Sequence, residues 1–447
     1  MPRLLIGNEF NEDRAALAEA KRRKTAWWTH RLMWFAEEGD ILVVAVAPEP
    51  AFVDYVLAMT GVPRSSVRIL VPPPGELGIG VLTADRLAQP DFLAQLRGLL
   101  HGEDIDEVIA LHPDSAVVEL ARALDLLDRL PGSGFLSQEG ARLAGSKAVF
   151  RAVAEGTGVP VPPGTVCTRR ADAARHIGAM LTAGELVMLK HDMRSGGRGN
   201  EILSPVEGVV PVGAQRAVTI SGEAALLDYL ADRWDWLTSH DRSPLVVERY
   251  YPDSISLFAE FWITDKGPRF GGQGELISAP LAAAEIIPAP DLDAAALTDL
   301  IEGGRRLSEA LYAMGYRGVV SADAIRTPAG AVLFTEYNGR ITGSTPAYHV
   351  IGKQVVGSGY AEERVLFDRD GWPMTSFSAA RDKLADAGLA YDPVSRTGVV
   401  LVMPFNTGNN TLRYCVVEKT MARARECVDV VESLAEVVAT TPDSAFA

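Results

Sequence analysis

The sequence predicts a multidomain protein, α/β at its N-terminus and α+β beyond. Three observations lead there. The chain has 447 residues, which at about 150 residues per domain suggests roughly three domains. Its first third alternates short, continuously apolar runs with helix-period stretches. Near Leu136 the texture changes to longer strand-like segments separated by Pro- and Gly-rich turns. The expected division is residues 1–135, residues 136–355 with a smaller subdomain at about 165–250 inside them, and a small α/β unit over residues 356–447.

In the first unit, residues 4–6, 41–47, 67–71 and 108–111 are apolar runs bounded by polar residues or by Pro and Gly. Between them, Leu87, Phe92, Leu96 and Leu99 or Leu100 recur at helical spacing across residues 85–100. Strands apolar on both faces belong to a parallel sheet covered by helices on either side. Such a scaffold is Rossmann-like. No GxGxxG follows any of its strands, and nothing in it marks a nucleotide site of its own.

In the second unit a helix around Lys147 leads into Gly158-Val159-Pro160-Val161-Pro162-Pro163-Gly164, a rigid turn that enters a strand at residues 165–167. A helix over 171–181, a strand over 186–189, a glycine-rich turn and a return strand over 201–203 follow. Strands are expected again at 245–247 and 254–263. Asp293 is a good N-cap for a helix that places Leu297, Leu300, Ile301, Leu307 and Leu311 on one face before Gly315 ends it. Gly303 and Gly304 each weaken that helix by about 1 kcal/mol relative to alanine, which makes a kink possible. Strands over 318–325 and 331–336 flank the turn Thr327-Pro328-Ala329-Gly330. The last unit carries strands at 398–404 and 411–417 and a closing helix at 421–438.

Composition excludes some functions. Hydrophobic residues make up 47% of the chain, too many for a disordered protein. Lys and Arg number 43 against 58 Asp and Glu, a net charge of −15 that repels nucleic-acid phosphates. Cys167, Cys415 and Cys427 show no metal spacing and no even pairing, so a reducing compartment is expected. The N-terminus turns acidic at Glu9, and no apolar run approaches the length of a membrane span. A cytoplasmic protein without a membrane partner is the expectation.

The chemistry concentrates in a few segments. Ala322-Asp323-Ala324 and Phe334-Thr335-Glu336-Tyr337-Asn338-Gly339-Arg340 lie on consecutive strands. If those strands pair, Asp323 and Glu336 come together, and Glu336 and Asn338, two apart, share a face. Three oxygen ligands that leave room for water and phosphate oxygens suit magnesium. An ordinary solvated strand face is the plainer reading of a lone Glu-x-Asn. Ser195-Gly196-Gly197-Arg198-Gly199 lets backbone N–H groups approach phosphate, although many glycine-rich turns are purely structural. It lacks the GK[ST] of a P-loop. Lys147 and Lys190 could serve triphosphate charge or sit on the surface. Val246-Val247-Glu248-Arg249-Tyr250-Tyr251 reads as a strand that leaves the core and turns polar. His191 is the one histidine inside a candidate site, and no Ser/His/Asp or Cys/His pattern is present. Arg249, Arg317, Trp234, Trp236 and Trp262 are open as pocket-shaping or packing residues.

In this order and at these spacings the segments resemble the ATP-grasp superfamily of carboxylate–amine ligases, over residues 136–351. The first unit is similar to the pre-ATP-grasp domain that precedes that fold. The resemblance implies that Lys147 and Lys190 contact ATP phosphates and that Ser195, Gly196, Gly197 and Gly199 close over them. It implies that Glu248, with the backbone near Tyr250 and Tyr251, holds adenine. Asp323, Glu336 and Asn338 would coordinate Mg²⁺, and Arg340 would face the transferred phosphoryl group, with Lys190 as a second catalytic cation. Two departures are visible: the first metal ligand is Asp where Glu is commoner, and the ribose ligand is ambiguous around Asp253 and Ser254. His191 also stands where proline is frequent.

The whole chain is similar to peptide ligases of antibiotic and peptide-natural-product biosynthesis. That implies a small carboxylic acid, of guanidino-containing type, and an amine or peptide acceptor. The C-terminal strands and helix are open as part of a peptide-accepting wall or as a homodimer interface. The implied reaction transfers the γ-phosphoryl group to a carboxylate and lets an amine attack the acylphosphate. A peptide α-amine with a pKa of about 8 is roughly a tenth neutral at pH 7, so no strong general base is demanded. A kinase acting on a hydroxyl, or an ATP-binding module without turnover, are the alternatives.

Overall fold

A computed structural model describes residues 1–9 and 17–436. The first strands, β1 (Leu4–Gly7), β2 (Ile41–Val44), β3 (Arg68–Leu70) and β4 (Val108–Ala110), form a parallel sheet in the order β3-β2-β1-β4. Every residue of β1 and β2 is buried, as covering on both faces requires. The helical stretch expected over 85–100 is two helices, Ala84–Leu87 and Pro90–Leu100. Pro90 is the reason: it cannot donate to a preceding turn, and it serves instead as the first residue of the second helix.

A second sheet is built from β5 (Gly164–Cys167), β6 (Val187–His191), β7 (Asn200–Ser204), β8 (Arg216–Thr219) and β9 (Leu245–Arg249), in the order β5-β9-β6-β7-β8. The helices Arg170–Thr182 and Glu223–Thr238 cover it and share its own core, which includes Ile177, Leu189, Leu230 and Val247.

The third sheet has eight strands. They are β10 (Ile255–Thr264), β11 (Gly267–Ser278), β12 (Ala282–Ile287), β13 (Gly318–Arg326), β14 (Val332–Asn338), β15 (Val365–Pro373), β16 (Gly398–Leu401) and β17 (Thr411–Glu418). The order is β14-β13-β10-β11-β12-β15-β17-β16. Several features differ from expectation. The stretch between 263 and 293, with no expected element, forms β11 and β12, and β15 is likewise an unexpected strand. Glycines at 267, 271, 272 and 274 suppress the strand signal of β11, yet they are needed there. A β-carbon on Gly271 or Gly272 would stand 2.8 Å from Tyr348. The strands of the C-terminal unit also extend the central sheet, through pairing of Ile286 on β12 with Phe367 on β15.

The register decides what faces where. Glu336 lies opposite Asp323, Asp323 opposite Phe258, and Phe258 opposite Gly274. With period two, Asn338, Ser321 and Glu260 join them on one face. The other face carries Ala259, Phe261, Val320 and Phe334 into a core with the helices Lys147–Thr157 and Ala294–Ala313. Asp293 caps the second of these by accepting from Ala296 N at 2.9 Å. That helix runs unbroken through Gly303 and Gly304, because the glycines let it approach Phe334 and Phe261.

The N-terminal sheet and the C-terminal strands share a core. Phe52 packs edge-on against Phe377 at 5.7 Å, and Trp34 Nε1 donates to the Val402 carbonyl at 2.8 Å. The closing helix forms over Met421–Ser433, and positions 437–438 of the expected helix lie outside the described residues. Among the described residues no helix is long and apolar enough to cross a membrane.

Candidate active site

The β13–β14 hairpin brings its polar residues together. Asp323 and Glu336 are direct cross-strand partners, and the register shifts just after them. Asn338 Nδ2 donates to Asp323 Oδ2 at 3.0 Å, and Ser321 Oγ donates to Asp323 Oδ1 at 2.8 Å. Burial, reinforced by the Glu336 carboxylate, raises the Asp323 pKa well above the usual carboxylate range. Burial also acts to raise Glu336, but Lys147 and Lys190 outweigh it and hold that group below its ordinary value. Two ionised carboxylates facing each other repel, and a cation between them would relieve that repulsion. Because the Asn338 amide nitrogen is turned to Asp323, its oxygen remains for a metal. Among the described residues no three His, Cys, Asp or Glu side chains gather into a metal cage. Two carboxylates and one amide oxygen fit magnesium, which keeps water and phosphate oxygens in its shell.

Both lysines arrive from other elements. Lys147 is the first residue of its helix, after the N-cap Ser146, whose Oγ accepts from Val149 N at 3.1 Å. Ser146 Oγ in turn donates to Asp192 Oδ1 at 2.8 Å, tying that helix end to the segment after β6. Lys147 Nζ reaches Glu336 Oε2 at 3.0 Å and the Arg194 carbonyl at 2.6 Å. Lys190, on β6, meets Glu248 Oε1 at 2.5 Å and the Thr335 carbonyl at 3.2 Å. The other oxygen of Glu248 accepts from Arg151 Nη1 at 3.1 Å. The Glu248 carboxylate is thereby engaged by two cations, and it anchors Lys190.

The glycine-rich turn joins β6 to β7 as a hairpin. Gly196 and Gly197 have φ of 65° and 74°, which favours glycine. A β-carbon on Gly197 would fall 2.9 Å from the Gly213 carbonyl and 3.0 Å from Leu281, a residue of the β11–β12 connection. Gly199 closes the turn by accepting from His191 N at 2.8 Å, and the Ser195 carbonyl accepts from Arg198 N at 3.3 Å. His191 is a structural residue. Its Nδ1 accepts from Met193 N at 3.2 Å, so Nε2 carries the proton toward Ser239 Oγ at 2.8 Å. Burial, with Arg194 and Lys147 nearby, pushes its pKa down to about 3.

These groups surround one cavity of about 360 Å³. Asp323, Glu336, Asn338 and Arg340 line it. Lys190, Gly196, Gly197, Glu248, Tyr250 and Tyr251 line it as well. Lys147, Ser195 and Gly199 do not line it; they hold Glu336 and the turn from behind. Asp253 and Ser254 also face the cavity, and Ser254 Oγ is buried without a hydrogen-bond partner among the described residues. Arg249 lines the cavity while pairing with Glu185 at 3.3 Å. Trp234 packs in the second sheet's core with Trp236 against it, Trp262 Nε1 donates to Tyr348 OH at 2.8 Å, and Arg317 pairs with Asp265 at 2.8 Å.

Sequence reasoning missed several groups. Arg151 carried a signal, since it lies four residues after Lys147 on one helix face. Asp192, Glu260, Glu285, Ser344 and Arg413 carried none.

Known proteins share this arrangement of elements. A family model described as Pre ATP-grasp domain matches residues 29–126, and one described as PGM1 C-terminal domain matches residues 379–430. No curated protein matches the chain. Among solved structures, the chain is similar to a biotin carboxylase from Campylobacter jejuni at 15% identity and a TM-score of 0.59, over 96% of this chain and 90% of that one. It is similar to an L-amino acid ligase from Bacillus licheniformis at 13% identity and a TM-score of 0.55, over 97% of each chain. An N5-carboxyaminoimidazole ribonucleotide synthetase from Thermus thermophilus matches at 15% identity and a TM-score of 0.55, over 98% of this chain and 99% of that one. The chain has an ATP-grasp fold, with a pre-ATP-grasp domain before it and a C-terminal domain of the PGM1 type after it.

Proposed function

We propose that the protein is an ADP-forming amide ligase. It activates a small carboxylic acid with ATP and passes the acyl group to an amine, the N-terminus of a peptide. The observation that carries this reading is the convergence of Asp323, Glu336 and Asn338 with Lys190 and Arg340 on one cavity. Oxygen ligands for a divalent cation and side-chain cations for phosphoryl charge are what phosphoryl transfer to a carboxylate requires.

In this reading Lys190, held by Glu248, contacts the triphosphate, and the Gly196–Gly197 turn covers it. Lys147 holds Glu336 in its ionised form. The cavity end at Tyr250 and Tyr251 takes adenine, and Ser254 or Asp253 takes ribose. Asp323, Glu336 and Asn338 would hold Mg²⁺, which would supply positive charge to the triphosphate. Arg340 orients the carboxylate and the phosphoryl group it receives. Closure of the glycine turn excludes water from the acylphosphate.

The names of two fold neighbours, an L-amino acid ligase and a ribonucleotide synthetase, support ligase chemistry. The chain's resemblance to the peptide ligase of pheganomycin biosynthesis supports a guanidino-containing acid, a peptide acceptor and a role in antibiotic biosynthesis. Residues 1–135, 136–355 and 356–447 are the units of this enzyme, and its three free cysteines support a cytoplasmic setting.

The test is an ADP-release screen of carboxylic acids crossed with short peptides, with mass spectrometry of the products. Acid-dependent ADP and phosphate with a new amide are expected. A stable phosphorylated product without free phosphate would make the protein a kinase, and ATP binding with no turnover would make it a binding module.

A further inference from the structure

Past Arg340 the chain forms a tight loop whose hydroxyls face the cavity. Thr342 and Ser344 both line it. Thr342 N donates to Thr345 Oγ1 at 2.9 Å, and Ser344 N donates to Thr342 Oγ1 at 3.2 Å. Each cavity-facing hydroxyl is backed by a buried carboxylate. Ser344 Oγ donates to Glu285 Oε2, and Thr342 Oγ1 donates to Glu260 Oε1. Glu285 and Glu260 are 2% and 0% exposed.

A hydroxyl has one proton. Once it is given to a carboxylate, only lone pairs are left for a ligand, so the ligand has to be a hydrogen-bond donor. Ser344 Oγ has both lone pairs available, whereas Thr342 Oγ1 already accepts from Ser344 N and lies 3.2 Å from Thr345 Oγ1. The carboxylate behind Ser344 is itself held in place. Glu285 accepts from Arg413 Nη2 at 2.9 Å, and Arg413 Nε donates to Asp368 Oδ1 at 2.5 Å. One guanidinium therefore serves two carboxylates, and Glu260 has hydroxyl donors only, from Thr342, Thr345 and Tyr348. Arg413 is itself set against the Trp28 ring, 5.5 Å from its centroid, so it cannot swing toward the cavity without leaving both anions buried.

We infer that Ser344, with Thr342 beside it, seats the ammonium of the attacking amine, and that Glu285 positions Ser344 for this. The inference rests on the ligase reading above. It locates the acceptor four residues beyond Arg340, where the acyl group is activated. A cationic donor is the ligand class; a second carboxylate would meet only lone pairs.

The same pair gives the reaction's proton a route. The ammonium loses one proton to solvent before attack, which its ordinary pKa allows. The nitrogen lone pair then forms the bond to the carbonyl carbon, the carbonyl–oxygen bond to the phosphoryl group breaks, and its electron pair leaves with phosphate. The nitrogen still carries one surplus proton. That proton passes to Ser344 Oγ as the hydroxyl's own proton moves to Glu285 Oε2, leaving a neutral amide.

The experiment compares two acceptors with the acid and peptide found by the ADP-release screen. Hydroxylamine, small and mostly neutral at pH 7, traps the acylphosphate as a hydroxamate without an ammonium seat. Ser344→Ala should raise the peptide KM by roughly 10- to 100-fold, the loss expected for hydrogen bonds to a charged group. It should lower amide formation at least tenfold more than hydroxamate formation. Ser344→Thr should recover part of the loss, and Glu285→Gln should lower amide kcat/KM more than hydroxamate kcat/KM. Equal loss with both acceptors, or an unchanged peptide KM, would overturn the subsite. ADP release by the unmodified protein reports on the ligase reading separately; if no acid elicits it, that reading fails and the subsite with it. ATP affinity of each variant shows whether its cavity is still formed.

Discussion

Glu248→Gln tests how the cavity holds Lys190. Glu248, Lys190 and Arg151 are each less than a tenth exposed, and the carboxylate sits 2.5 Å from Lys190 Nζ and 3.1 Å from Arg151 Nη1. At an effective dielectric of about 20, those contacts are worth roughly 7 and 5 kcal/mol gross. Desolvation of the three ions offsets most of that. Removing one partner of a buried pair nonetheless costs about 3–5 kcal/mol, because the remaining charge is left uncompensated. Glutamine keeps the shape and deletes the anion, so two cations are left facing each other.

The loss should appear where the pair sits, at the junction of β6, β9 and the helix Lys147–Thr157. Amide hydrogen exchange is the assay. Protection in β6 and β9 should fall by a factor of about 100 or more, since each 1.4 kcal/mol is tenfold, while β1 and β2 change little. ATP at about 100 times its Kd should return up to about 2.7 kcal/mol, its phosphates replacing the missing anion beside Lys190. Exchange within threefold of the unmodified protein in the absence of ATP would refute the account of Glu248 as a charge anchor.

Three further outcomes follow from the geometry. Glu336→Gln or Asn338→Ala should cut acid-dependent ADP release by at least about 100-fold, the scale of losing one electrostatic group in a transition state; turnover within tenfold in both variants would remove the metal assignment. Gly303→Ala should destabilise the protein by about 1–3 kcal/mol in urea, because its β-carbon would lie 2.2 Å from the Phe334 ring. Helix propensity alone predicts the opposite sign, a gain of about 1 kcal/mol, so the midpoint shift decides between packing and propensity. Burial raises Glu260 from 4.5 to about 7, although the hydroxyls around it pull the other way. The folded state thus binds the proton more tightly than the unfolded chain, and this stability is full below pH 4.5 and lost as pH rises through 7. Comparing the unmodified protein with Glu260→Gln across pH 4.5–7.5 should isolate a loss of about 3 kcal/mol; parallel curves would contradict it.

The hairpin at the centre of the site was legible because its signals are local. A Pro-Ala-Gly turn and period-two alternation fix which residues of β13 and β14 face together, and Asp323 does lie opposite Glu336. The N-terminal sheet was legible for the same reason, through continuously apolar strands. What stayed hidden depends on distant contacts. β11 carries glycines where Tyr348 leans on the sheet, so its composition reads as loop until that tyrosine is in place. The link from Glu285 to Arg413 spans 128 residues, and neither carries a neighbouring motif. Gly303 and Gly304 looked like weak points of a helix, and only the closeness of Phe334 and Phe261 gives them a purpose.

The continuous central sheet sets a distance. Strands in a sheet stand about 4.8 Å apart, and β13, which carries Asp323, is three steps from β12, which carries Glu285. About 14 Å of backbone therefore separates Asp323 from the carboxylate behind Ser344, and no loop movement can stretch or shorten it. In the proposed ligase, the reach of the two substrates would have to match a span counted in whole strands. A change of substrate length would have to come from the side chains mounted on this ruler, since its graduations are hydrogen-bonded in place.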